Sequence, residues 1–166
     1  SFESPTVIWG ETYTGKAINS LEKNTRLMES MSTEKANIVI DGITFTRGNG
    51  KSGGIDECGG ALYSRTPGLK IQNCIFKENG VTKSDGKAGG QGGAVFFDES
   101  GTIENCYFYM NHANGGSSGG GAVYLRPKSG EVSVKNCAFE KNATTAGGAA
   151  MRTSGLNKVI VENCKF

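Results

Sequence analysis

Proline is nearly missing from this chain, at three in 166 residues, although glycine reaches 26. Glycine without proline argues against both a collagen-like and a disordered chain. Histidine is rarer still: His112 stands alone, with no Ser or Cys partner at a recognisable spacing, and reads as a solvent-facing loop residue. No Cys/His spacing suggests zinc, and no Gly-Gly-x-Gly-x-Asp repeat suggests calcium-loaded coils. No apolar run approaches the roughly 20 residues of a membrane helix, so no transmembrane segment is expected. Basic and acidic residues number 18 and 16, a formal +2, with no run of one sign, which excludes a nucleic-acid footprint. The opening Ser1–Pro5 lacks the charged start and apolar stretch of a signal peptide. The glycine run at 115–121 has no following Lys-Ser/Thr, so it is not a phosphate cradle.

A repeat takes the place of these features. Ile71-Gln72-Asn73-Cys74-Ile75-Phe76 recurs as Ile103-Glu104-Asn105-Cys106-Tyr107-Phe108, as Val134-Lys135-Asn136-Cys137-Ala138-Phe139 and as Val161-Glu162-Asn163-Cys164-Lys165-Phe166. The four cysteines stand 32, 31 and 27 residues apart. A degenerate copy, Ile40-Asp41-Gly42-Ile43-Thr44-Phe45, reads as Asp-Gly in place of Asn-Cys. A second marker keeps phase: Gly59-Gly60-Ala61, Gly92-Gly93-Ala94, Gly120-Gly121-Ala122 and Gly147-Gly148-Ala149. A fixed period of this size means a solenoid, propeller or array. Period-2 apolar runs exclude helical repeats, and propeller blades need about 40 residues and four strands. Three short strands per unit fit one coil of a right-handed, single-stranded parallel β-helix, an all-β solenoid of about five short coils. Residues 36–166 are read as these coils. Residues 1–35 are read as a partly irregular lead-in and capping segment, with short strands at Thr6–Trp9 and Lys16–Ile18 and a loop or single helical turn over Ser20–Ser32. An open final coil implies further coils of a longer chain, or an end-to-end partner, because solenoids need caps.

Stacked coils turn repeated residues into columns. Alternation slips by one at Asn73, which marks a bend, and Asn tolerates the left-handed backbone that a bend requires. Asn73, Asn105, Asn136 and Asn163 should therefore stack and hydrogen-bond along the axis. Asn79, Asn111 and Asn142 should form a second such column. Phe45, Phe76, Phe108, Phe139 and Phe166 form an inward aromatic column, and Cys74, Cys106, Cys137 and Cys164 form another. In-register Cβ atoms about 4.8 Å apart exceed the usual disulfide range, so free buried thiols are expected. Cys58, in a Gly-rich loop, is the thiol expected to be reachable.

Gly-Gly-Ala followed by Phe-x-x-Asn (Phe76–Asn79, Phe108–Asn111, Phe139–Asn142) resembles the repeat pair of polymorphic outer membrane proteins. More broadly, the coils resemble the pectate-lyase-like right-handed parallel β-helix superfamily. The first resemblance implies a non-enzymatic, bacterial cell-surface or secreted adhesin or structural passenger, with a host-surface protein or glycan as partner. The second implies, as the alternative, a polysaccharide lyase or glycoside hydrolase, or a carbohydrate-binding module, acting on a polyuronate or other glycan. Under the lyase alternative alone, acidic residues would hold calcium and an Arg or Lys would act as base. Otherwise no cofactor and no metal site is expected.

Candidate residues for such chemistry are few: Asp56, Glu57, Asp85, Asp98, Glu99, Arg65, Arg126 and Arg152. Repeat register stacks Asp98 between Arg65 and Arg126. This column reads either as an acid between two cations at a substrate face or as charge alternation that limits repulsion between coils. The second is the simpler reading, because hydrolysis needs two placed carboxylates and neighbouring Asp98 and Glu99 face opposite sides of a strand. The row Tyr63, Phe96, Tyr124, Met151 reads as outward-facing if Leu62, Val95, Val123 and Ala150 face in, with Ser64, Phe97 and Leu125 continuing the inward side; the alternative turns the row inward and Leu62 and its mates outward. An exposed row of this kind could stack on sugar rings, although stacking along the solenoid also accounts for it.

Overall fold

The computed structural model describes residues 6–9, 26–35, 37–50, 58–82, 90–114, 119–155 and 157–166. Every strand pairing is parallel, and each strand pairs with its counterpart one coil away. The first sheet stacks Met28–Ser30, Leu62–Ser64, Val95–Phe97, Val123–Leu125 and Met151–Thr153. The second stacks Val39–Asp41, Leu69–Gln72, Gly101–Glu104, Val132–Lys135 and Val159–Glu162. The third stacks Thr6–Trp9, Ile43–Thr46, Ile75–Lys77, Tyr107–Tyr109 and Ala138–Glu140. The chain is thus an all-β parallel solenoid, and its sheets reach into the first 35 residues. Met28–Ser30 is a strand, where the sequence suggests a loop or helical turn, and Lys16–Ile18 lies outside the described residues.

A fourth, shorter sheet adds to the three strands expected per coil. It joins Gly80–Thr82, His112–Asn114 and Ala143–Thr144 at the start of what reads in sequence as loop. His112 therefore sits on a strand, half-buried, with its ring against Gly80, and burial holds its pKa below the usual imidazole value.

The core follows from period-2 alternation and stacking together. Leu69 and Ile71 face in between Lys70 and Gln72, and the coils above repeat the pattern. The Phe rings stack at 4.9, 4.9, 4.8 and 5.1 Å with interplanar angles of 5–9°. Phe45, Phe76 and Phe108 are fully buried, which contributes about 1.5–3 kcal/mol each. The thiols beside them are free, and each donates to the carbonyl two residues back across the bend, at 3.1–3.3 Å. Hydrogen bonding with Cys137 and Cys74, together with burial, pushes the Cys106 thiol upward, so it stays protonated. Cys58 is buried rather than reachable: it packs against the Tyr63, Phe96 and Tyr124 rings.

Glycine closes the coil. Gly59, Gly92, Gly120 and Gly148 take φ of 62–74°, which turns the chain into the first sheet. The next residue in three coils (Gly60, Gly93, Gly121) lies against backbone. A Cβ on Gly93 would run into the carbonyl oxygens of Gly121 and His112. The last copy is Gly148-Ala149-Ala150, one residue later than the sequence marker places it, because Val123 pairs with Met151.

The first coil is also in register, with other residues at the repeat's positions. Gly42, at φ 65°, occupies the Asn73 bend, Ile43 the Cys74 slot and Asp41 the Gln72 slot. Asp41 accepts from Gln72 Nε2 and Asn73 Nδ2, both at 2.8 Å. Gly48 stands where Asn79 stands one coil on, and its N–H donates to Asn79 Oδ1 at 2.9 Å.

Candidate functional site

Outward positions of the first sheet form two columns. Register places Glu29, Tyr63, Phe96, Tyr124 and Arg152 in one. Two residues further along each coil, hence on the same face, come Arg65, Asp98, Arg126 and Ser154. Met151 belongs to the inward Val123 position, so Arg152 takes the place that the sequence assigns to Met151.

Tyr63, Phe96 and Tyr124 turn away from the main core and stack on each other at 5.2 Å per step. They are nonetheless only 2, 0 and 5 % exposed, which corrects the expectation of an open platform for sugar rings. Arginines cover them. Arg26 lies 4.9 Å above the Tyr63 ring, Arg65 5.6 Å from the same ring, Arg126 5.2 Å from Phe96 and Arg152 5.9 Å from Tyr124. Guanidinium groups over ring faces combine dispersion with quadrupole attraction. Arg26 is anchored by hydrogen bonds to the Cys58 and Gly59 carbonyls and by an ion pair with Glu29. Arg65 Nε donates to Tyr63 Oη at 2.8 Å, and Tyr124 Oη donates to Ser154 Oγ at 3.0 Å. Burial, then the charge of Asp98, raises the Tyr63 pKa.

Asp98 lies between Arg65 and Arg126, and its side chain is fully buried rather than solvated. Arg126 Nε donates to Oδ1 and Lys128 Nζ to Oδ2, both at 2.6 Å, and Arg65 Nε is 3.5 Å from Oδ2. Burial works against the carboxylate, but the hydrogen bonds from Arg126 and Lys128 outweigh it and hold the pKa below the usual value. Lys128 is the residue that sequence reasoning missed. The signal was present in Arg126-Pro127-Lys128, where residues two apart share a face. Glu99 goes elsewhere, accepting from Ser129 Oγ at 2.7 Å. Asp56, Glu57 and Asp85 lie outside the described residues.

This arrangement suits neither role of the lyase or hydrolase chemistry. A general acid near neutral pH needs a raised pKa and a second carboxylate across a substrate. Asp98 has a lowered one, and Glu99 diverges from it. Calcium takes six to eight oxygens, often carboxylate. Both Asp98 oxygens already face cations, and no group of three His, Cys, Asp or Glu is placed to hold a metal among the described residues. The residues present therefore do not fit a calcium centre.

Elsewhere, the outer Asn column shares few amide bonds: Asn105 Nδ2 reaches Asn73 Oδ1 at 3.4 Å. The inner column is fully bonded. On the outside of the third sheet, Tyr107 donates to Glu140 at 2.7 Å, which pushes the Tyr107 pKa up to about 12.

Comparison with known proteins identifies the architecture and goes no further. A family model described as "right handed beta helix region" matches residues 31–166. No curated protein and no solved structure matched the chain. The match spans the glycine turns, asparagine bends and stacked aromatic core described above, and the chain belongs to the right-handed β-helix family.

Proposed function

We propose that this chain is a non-enzymatic β-helix module of an adhesive or structural passenger type, acting outside the cell or at a bacterial cell surface. One observation supports this reading above the others: the residues best suited to catalysis are engaged in holding coils together. Asp98 ties three cations from two other coils, and Glu99 meets Ser129 of the next coil. The Gly-Gly-Ala and Phe-x-x-Asn pair, which resembles the repeats of polymorphic outer membrane proteins, points the same way. The placement at a surface rests on that resemblance.

The test is turnover. The chain, incubated with polyuronates and neutral plant polysaccharides with and without calcium, is expected to release no unsaturated or reducing sugar above blank. Calcium-dependent release that disappears in Asp98→Asn would overturn the reading in favour of a lyase.

A further inference from the structure

The sequence holds five arginines, and four of them, Arg26, Arg65, Arg126 and Arg152, lie over the aromatic column of the first sheet. With Lys128, and with Glu29 and Asp98 as the acids of this face among the described residues, five positive and two negative charges give a local +3.

The central cations are held in place and still accessible. Asp98 fixes Arg126 through Nε and Lys128 through Nζ, yet their side chains are 41 and 52 % exposed. A guanidinium has five N–H donors and an ammonium three. Beyond the contacts with Asp98, the side-chain polar hydrogens of these two residues meet no protein acceptor among the described residues. Arg65 sits two coils below Arg126, about 9.6 Å away, and Arg152 one coil above and two residues back along the strand, about 8 Å away.

The face also restricts what can bind. Protein partners gain most of their affinity from apolar and aromatic anchors, and single-stranded nucleic acids from open aromatic faces. Here the rings are sealed beneath guanidinium groups, which leaves charged N–H donors as the recognition surface. A group that is permanently ionised and has three terminal oxygens can accept from the Arg126 edge and the Lys128 ammonium together, whereas a carboxylate has only two oxygens.

We propose that Arg126 and Lys128, flanked by Arg65 and Arg152, bind the sulfate groups of an anionic glycan lying along the solenoid axis. This assigns a ligand class to the adhesive reading above and rests on it.

The experiment is titration of the full chain with a heparin-type sulfated chain, the same chain desulfated, a sulfate-free polyuronate and double-stranded DNA, with released sugar assayed in the same samples. Saturable binding of the sulfated chain, weakened by salt and at least tenfold tighter than the other three, is expected. Lys128→Gln leaves Asp98 two arginine partners and should weaken binding about tenfold, the loss of one charge-assisted contact. Arg152→Gln, one coil above and set back along the strand, should weaken it less. Thermal unfolding establishes that both variants fold. No binding, equal binding of the polyuronate, desulfated chain or DNA, or folded variants that bind unchanged would overturn the assignment and leave the non-enzymatic reading standing. Cleavage of any glycan would instead overturn that reading, whatever the binding data.

Discussion

The two asparagine columns place one residue type in one solenoid and use it in different ways. In the outer column, Asn73, Asn105, Asn136 and Asn163 make the bend themselves, at φ 52–53°, and their side chains are exposed. Their value is conformational, since asparagine tolerates the left-handed region better than most residues do. In the inner column the preceding residue makes the bend: Glu78, Met110 and Lys141 take φ of 53–56°. Such residues cost roughly 1–2 kcal/mol there. The asparagine beside each offsets that strain with a bonded stack. Asn111 Nδ2 donates to Phe76 O at 2.9 Å and to Asn142 Oδ1 at 3.0 Å, while its Oδ1 accepts from Asn79 N and Nδ2 at 3.0 Å. The same amide is a local bend former on the surface and a long-range tie in the interior.

The largest expected effect comes from breaking the tie. Asn111→Ala strands two donors on Asn79 and the Phe76 carbonyl in a buried setting, and should cost about 4 kcal/mol in urea unfolding. A cost equal to that of an outer-column change would erase the distinction.

Asp98 asks whether burial of any polar tie has the same consequence. Asp98→Asn should cost about 2 kcal/mol at neutral pH, less than Asn111→Ala, because the three stranded cations are 32–52 % exposed and can rehydrate. The sign with pH follows from the lowered pKa. The carboxylate stabilises the fold at pH above its unfolded value of 3.8, and that contribution is lost as pH falls through the lower folded value. The urea midpoint of the unsubstituted chain should therefore drop more steeply below about pH 4 than that of Asp98→Asn. Parallel drops would remove Asp98 from the account. The smallest effect is expected at the outer bend. Asn105→Ala should cost about 1 kcal/mol and Asn105→Gly close to nothing, since only the left-handed backbone is at stake.

The stacked core was legible in the sequence because each column repeats its residue: Phe76, Phe108 and Phe139 announce their own register. The outer bend was legible for the same reason. The inner bend was not, since Arg47, Glu78, Met110 and Lys141 share a conformation and no chemistry. Gly147-Gly148-Ala149-Ala150 contains two possible glycine markers, and only positive φ at Gly148 decides between them. The fourth sheet escaped because Gly80-Val81-Thr82, His112-Ala113-Asn114 and Ala143-Thr144 share neither side chains nor alternation. The stacking of Asp98 between two arginines followed from register. Its burial, and that of the aromatic row, did not, because the arginine cover reaches across coils and depends on rotamers that no local pattern encodes.

Uniform parallel pairing between coils has a mechanical consequence. Hydrogen bonds between successive coils point along the solenoid axis, so a tether pulling along that axis loads them one rung at a time instead of in shear. Each coil should peel separately, and the Phe76-to-Phe108 step of 32 residues would release about 100 Å of slack. Such a solenoid yields stepwise under tension, lengthening by one coil while the rest of the stack keeps its shape.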